Sequence, residues 1–147
     1  MAEVKQYCTF YVENSFFGIE VIHVQEIIRF QNMTNVPLAD SVIKGLINLR
    51  GQIVTAIDLR RRLGLKPRPA EDEPMNVIIN TNDGAVSLLV DEIGDVIEVD
   101  KEIYEPPPQN LSGKARDLTT GVYKLKDKLL LTLDTNKLFD FSAINFN

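Results

Sequence analysis

The chain is 147 residues long, 44% hydrophobic and 25% charged, with a net charge of −5 at neutral pH. That balance suits one compact domain or two small ones sharing a core, and it disfavours a generic nucleic-acid binder, which is more often basic. One cysteine leaves no intramolecular disulfide partner, and apolar runs of at most three residues are far short of the ~20 a membrane span needs, so a cytoplasmic protein is expected.

In chain order, residues 6–12 (QYCTFYV) and 16–21 (FFGIEV) read as strands around the turn Glu13-Asn14-Ser15. Alternation places Cys8 with Phe10 and Val12 as a buried strand thiol. Residues 21–29 (VIHVQEIIR) carry Val24, Ile27 and Ile28 at helical spacing and predict a short helix, with His23 on its surface. Pro37 and Asp40-Ser41 punctuate the next stretch. A hairpin follows in GLINLRGQIVTAID (45–58), with a helical turn over Asp58–Leu63. If Arg50-Gly51 is a two-residue turn, Ile47, Leu49 and Val54 share one face and Leu46, Ile53 and Ile57 the other. Both faces are apolar, so the hairpin is expected to be covered on both sides.

Residues 66–76 (KPRPAEDEPMN) are proline-rich and acidic, the composition of a linker. Strands resume at 77–81 and 85–90, and EPPP (105–108) with NLSGK (110–114) reads as a second loop. A last hairpin over 121–133 leads into a helical segment from Asp134. Asp58 and Asp134 each stand where a carboxylate would cap a helix N-terminus. The run Arg60-Arg61-Arg62 reads as a solvated face, or else as a contact to phosphate or an acidic partner.

The chain repeats itself. Residues 9–28 overlay 78–97 at an offset of 69, and the 45–58 hairpin overlays 121–134 at an offset of 76, so Gly45 meets Gly121 and Arg50-Gly51 meets Lys126-Asp127. The extra residues of the second copy fall in EPPPQNLSGK. Each half holds about five short strands, too few to bury a generous core alone. Closing each small sheet into a barrel would remove its edges, and packing the two barrels together would cover what remains. The expected fold is therefore mainly β: two five-stranded barrels sharing a hydrophobic core, with short helices. Their boundaries fall roughly at 6–65, with the termini crossing over, and 75–141, within one domain spanning 1–147.

No enzyme site assembles from these residues. The single histidine has no second His or Cys at ligand spacing, and no CxxC, phosphate loop or G-x-S-x-G occurs. No metal and no cofactor is expected. Arg50 stands apart, because a hairpin tip more often carries Asn, Asp or Gly. Gly51 could supply a positive φ, leaving the planar arginine fork free. Two readings stay open: an internal ion pair with Glu26, or a contact to another protein.

VIHVQEIIRF and IKGLINLRGQIVTAIDLRRRLGL resemble the signature of the CheW family of chemotaxis coupling proteins, and VDEIGDVIEV and LTTGVY fit the same pattern. The likeness runs from Gln6 to about Phe141 and leaves no room for a kinase or receiver, so it implies the stand-alone adaptor. It implies two SH3-like barrels and no catalytic activity. The implied partners are the cytoplasmic tip of methyl-accepting chemoreceptors, the regulatory domain of the chemotaxis histidine kinase, and other copies of the adaptor in array rings. Nucleic acid and direct membrane insertion are not implied; recruitment to membrane-associated arrays is.

Residue by residue, the VQE motif carries Val24, Glu26 and Ile27 into the receptor-coupling set. The NLRG motif carries Arg50, with Gly51 and Gly45 shaping the backbone; a groove between the barrels would offer an apolar floor near Val24. Thr55 stands where the family often has proline, and Val42 where an aromatic often precedes IKG. Alternatives within reach are coupling in a non-flagellar pathway such as pilus motility, and a small nucleic-acid-binding barrel.

Overall fold

A computed structural model describes residues 4–100, 104–106 and 113–140. Eleven strands are described: β1 (Val4–Val12), β2 (Ser15–Glu20), β3 (Val24–Ile28), β4 (Ile43–Leu49), β5 (Gln52–Asp58), β6 (Met75–Thr81), β7 (Gly84–Val90), β8 (Glu92–Asp100), β9 (Tyr104–Glu105), β10 (Thr119–Lys124) and β11 (Leu129–Leu133). The helices are short: α1 (Leu59–Arg62), α2 (Gly113–Leu118) and α3 (Thr135–Leu138), plus a 3-10 turn at Val21–His23.

The strands form two sheets, ordered β8-β1-β2-β11-β10-β9 and β3-β6-β7-β5-β4. The repeat is visible in this order. β1-β2-β3 corresponds to β6-β7-β8, and β4-β5-α1 to β10-β11-α3. Each copy sends its third strand to the other sheet: β3 pairs with β6, and β8 pairs with β1. The segment 66–74 thus divides the repeats, while each sheet takes strands from both sides of it.

Both sheets close in the same way. After β3 the chain crosses to the far edge, where Thr34 exchanges two 2.8 Å hydrogen bonds with Leu46 of β4. After β8 the chain returns as β9, which pairs with Val122 and Tyr123 of β10. The sixth strand of the first sheet is therefore the counterpart of the Thr34 bridge, and each sheet is a five-stranded barrel whose crossing strand wraps round to seal it.

Among the described residues three core clusters follow from this geometry. One small cluster fills the first barrel (Tyr7, Phe16, Val99, Tyr123, Leu130), and another fills the second (Ile47, Leu49, Val54, Ile78). The largest draws on both sheets and all three helices, with Phe10, Ile19, Leu59, Ile79, Leu88 and Leu138 fully buried. Cys8 is buried on β1, and burial raises its thiol pKa, which makes it a poor nucleophile.

The short helices are held by charge and capping. Asp58 accepts from Arg60 N at 3.1 Å, and Asp134 from Asn136 N at 2.9 Å, as the sequence predicts. Such a cap contributes about 1 kcal/mol, which matters for a four-residue helix. The arginine run is not a plain solvated face. Arg62 donates to the last carbonyls of α3, Leu138 O at 3.0 Å and Lys137 O at 2.8 Å, and Arg60 pairs with Asp91; Arg61 is exposed.

The expected helix over 21–29 is corrected by the structure: only Val21–His23 is helical, and Val24–Ile28 is a strand. A β-bulge explains the false period. Val24 pairs with Ile79 and Ile27 with Val77, with the register shifting between Val24 and Glu26. The extra residue puts Val24 and Ile27, three apart, on one face, which mimics helical spacing. The β-branched residues here favour a strand once an edge is offered. In the second loop, α2 was not foreseen; positions 107–112 lie outside the described residues, as does the part of the repeat boundary beyond residue 140.

Candidate functional site

β4 and β5 pair with Leu49 opposite Gln52, so Arg50-Gly51 is a two-residue turn. Both turn residues have positive φ, 52° at Arg50 and 88° at Gly51, as a type I′ turn requires. Gly51 therefore does not relieve Arg50 of the unusual backbone. An L-residue there costs roughly 1–2 kcal/mol, and the Gly51 N–H donated to Asn48 Oδ1 at 2.9 Å helps hold the turn.

The arginine side chain forks onto Glu26. Nη1 donates to Oε1 at 3.0 Å, and Nη2 to Oε2. Hydrogen bonds from Arg50, then from Gln25, hold the Glu26 carboxyl below its ordinary pKa, and the same pair raises that of Arg50. β3 and β4 are opposite edges of one sheet, so the fork spans the barrel seam that Thr34 closes lower down. Most of the arginine side chain, 67%, still faces solvent, against 24% for Glu26. The pair is thus both internal and displayed. Water screens it, so its weight lies in orientation rather than in stability.

The glycines have separate tasks. A Cβ on Gly45 would lie 2.8 Å from Thr34 O and 2.9 Å from Met33 Cβ, so only glycine lets the crossing segment reach β4. A Cβ on Gly51 would meet nothing, and its requirement is the positive φ alone. Val24 is half-buried against the shared core, and Ile27, on the same face of β3, is 36% exposed. Glu26 and Ile28 face the other way, opposite Ile78 and Asn76.

The sequence-predicted residues therefore gather on two adjoining strand edges: Glu26 with Arg50 in contact, Gly45 and Gly51 in the same hairpin, and Val24 with Ile27 one strand face away. The hairpin is covered on one face along its length and on the other only at its base: Ile47, Leu49 and Val54 are buried in the second barrel and Ile57 is fully buried in the shared core, but Ile53, next to the tip, is 66% exposed. Ile53 and Thr55 line a groove of about 540 Å³ with Ile43, Ile57, Val86 and Phe139; Val24, Glu26 and Arg50 do not line it. Ile53 was missed as an exposed apolar residue. Val96 was missed too: it is 56% exposed, and the offset of 69 makes it the counterpart of Ile27.

Among the described residues no group of three or more His, Cys, Asp or Glu side chains could hold a metal ion. No described helix is long and apolar enough to cross a membrane.

Comparison with known proteins fits this arrangement. The profile of the CheW-like domain matches residues 6–143. The chain belongs to the CheW-like family. It is 34% identical over 142 residues to the chemotaxis protein CheW of Bacillus subtilis, covering 95% of this chain and 91% of that one. To the chemotaxis protein CheW of Treponema pallidum it is 33% identical over 138 residues, covering 91% and 81%. The crystal structure of the scaffolding protein TtCheW from Thermoanaerobacter tengcongensis superposes with a TM-score of 0.83 at 28% identity, covering 95% and 94%. These relatives are named as chemotaxis and scaffolding proteins, not as enzymes. The CheW-like fold of two SH3-like barrels on a shared core is the one built above from the repeat.

Proposed function

We propose that this chain is a non-enzymatic adaptor that couples methyl-accepting chemoreceptors to the chemotaxis histidine kinase in a signalling array. The observation that carries the reading is the Arg50–Glu26 fork: a strained, solvent-facing arginine held in one orientation at a hairpin tip by β3, the strand whose other face carries the exposed Ile27. A side chain kept on display against a backbone cost suits a contact to a partner better than a contribution to the core.

In this mechanism no bond is made or broken. Glu26 holds Arg50, the guanidinium fixes the direction of approach, and Val24 with Ile27 supplies the apolar edge against which a receptor helical tip packs. Gly45 and Gly51 set the backbone that places them. The kinase regulatory domain and, in rings, other adaptor copies dock elsewhere on the barrels. Each contact is at or below about 800 Å² per partner and individually weak, of order micromolar. The array adds avidity by joining several such contacts.

Titration with a receptor cytoplasmic fragment and with the kinase regulatory domain, separately, tests this. Micromolar binding to both is expected. Binding to neither, with a salt-dependent gel shift of nucleic acid instead, would replace the adaptor by the nucleic-acid-binding barrel.

A further inference from the structure

The segment 66–74 has the composition of a loose connector, yet its Arg68 is among the best-buried charged side chains described, 7% exposed. Arg68 reaches the point where the chain passes from one sheet to the other. Its Nε donates to Asp91 Oδ1 at 2.9 Å, and its Nη1 lies 3.6 Å from Asp58 Oδ1. Nη2 is 2.8 Å from Asp91 Oδ1 but off the line of its N–H bonds, so it supplies charge more than a hydrogen bond.

Asp91 joins β7, in the second sheet, to β8, in the first. Its carboxylate is shared. Arg60 of α1 donates from Nε at 3.0 Å and from Nη2 at 2.7 Å, and the Glu13 N–H of the β1–β2 turn donates at 2.7 Å. Asp91 N–H in turn donates to Tyr11 O at 3.0 Å. Asp58 is 4% exposed, Asp91 16% and Arg60 13%. With Arg68 seated, two shielded carboxylates meet two guanidinium groups. Without it, Arg60 alone would face both Asp58 and Asp91, with Glu13 at the rim. A shielded carboxylate lacking its countercharge is strongly unfavourable.

We propose that Arg68 makes the loop between the repeats a clamp on the sheet crossover: it supplies the countercharge that lets the shielded side chains of Asp58 and Asp91 stay close together. Seating of the loop, capping of α1 and placement of the β7–β8 corner are then one event. Arg68 is a positioning residue, and the order of the junction between the two barrels depends on a segment that makes no part of either sheet.

Hydrogen exchange on the whole chain tests the clamp. In Arg68→Met, amides around Glu13, 59–63 and 91–93 should exchange about tenfold faster together with those of 66–74, while β10 and β11 stay protected. Faster exchange confined to 66–74, or none anywhere, would overturn the proposal. The double variant Asp58→Asn, Arg68→Met keeps the test open if the single variant does not fold, since asparagine caps a helix as well as aspartate does. The double variant should unfold at a higher urea concentration than Arg68→Met alone. Equal or lower resistance would contradict the countercharge role.

Discussion

The two barrels end in corresponding hairpins with opposite treatment of the cation at the tip. In the first barrel, Lys124 pairs with Leu129 and the loop is longer, with Lys126 and Asp127 where the repeat places Arg50 and Gly51. Neither has a positive φ. Lys128 folds back onto its own barrel: its ammonium lies 4.2 Å from the centre of the Phe16 ring and donates to Tyr11 Oη at 2.7 Å. In the second barrel the loop is as tight as a hairpin permits, and the arginine is held outward on Glu26. The repeat counterpart of Glu26 is Asp95, whose main-chain carbonyl accepts from Thr9 instead. One fold thus serves as its own control. Lys128 lies down on aromatic rings, whereas Arg50 stands in a strained turn with Glu26 fixing its direction, the geometry that the proposed contact to a partner calls for.

The comparison can be broken at its foundation by filling the close approach that seals the second barrel. Gly45→Ala should cost about 2–4 kcal/mol in urea unfolding, because the new methyl must displace the Thr34 backbone. Gly51→Ala, which meets nothing but keeps a positive φ, should cost about 1 kcal/mol. Equal losses at the two sites would show that the seam is not sealed as described.

The next effect concerns the junction that both barrels share. Burial alone would raise the Asp91 pKa, but hydrogen bonds from Arg60, Glu13 N–H and Arg68 outweigh it and hold the carboxyl below its ordinary range. A depressed folded-state pKa adds stability above the unfolded value and loses it as pH falls. Asp91→Asn should therefore cost about 2–3 kcal/mol at neutral pH. The gap to the wild type should narrow as pH drops through about 3.9, the unfolded value, and beyond. A gap that stays constant from pH 7 to 3 would remove the carboxylate from the explanation.

Much of this was legible in the chain. The repeat, the Arg50-Gly51 turn, the Asp58 and Asp134 caps and the buried Cys8 follow from short-range rules of spacing and turn chemistry, and the pairing of Glu26 with Arg50 was one of two readings left open. What failed depends on distant partners. β3 passed for a helix because a bulge imposed by β6 broke its alternation. Ile53 passed for a covered residue because alternation shows which residues share a face, not whether a second layer lies over it. Arg68 passed for linker because its partners, Asp58 and Asp91, lie 10 and 23 residues away on other elements. The repeat, from which the fold was read, also pairs Ile27 with Val96 and Glu26 with Asp95, a correspondence that alternation alone does not turn into a surface.

The smaller effects sharpen the contrast between the tips. Lys128→Ala should leave receptor binding unchanged and lower the melting temperature slightly, through lost packing over Phe16 and Tyr11. Glu26→Gln keeps the shape but not the charge, so it should weaken binding by a few fold, less than loss of the arginine itself.

The most direct measurement is titration of a receptor cytoplasmic fragment against Arg50→Ala, with circular dichroism and thermal unfolding recorded on the same sample. An unchanged spectrum, a melting temperature close to that of the wild type and binding weakened about tenfold are expected. A collapsed spectrum, or an intact fold with undiminished affinity, would mean that the arginine serves the barrel and not the partner.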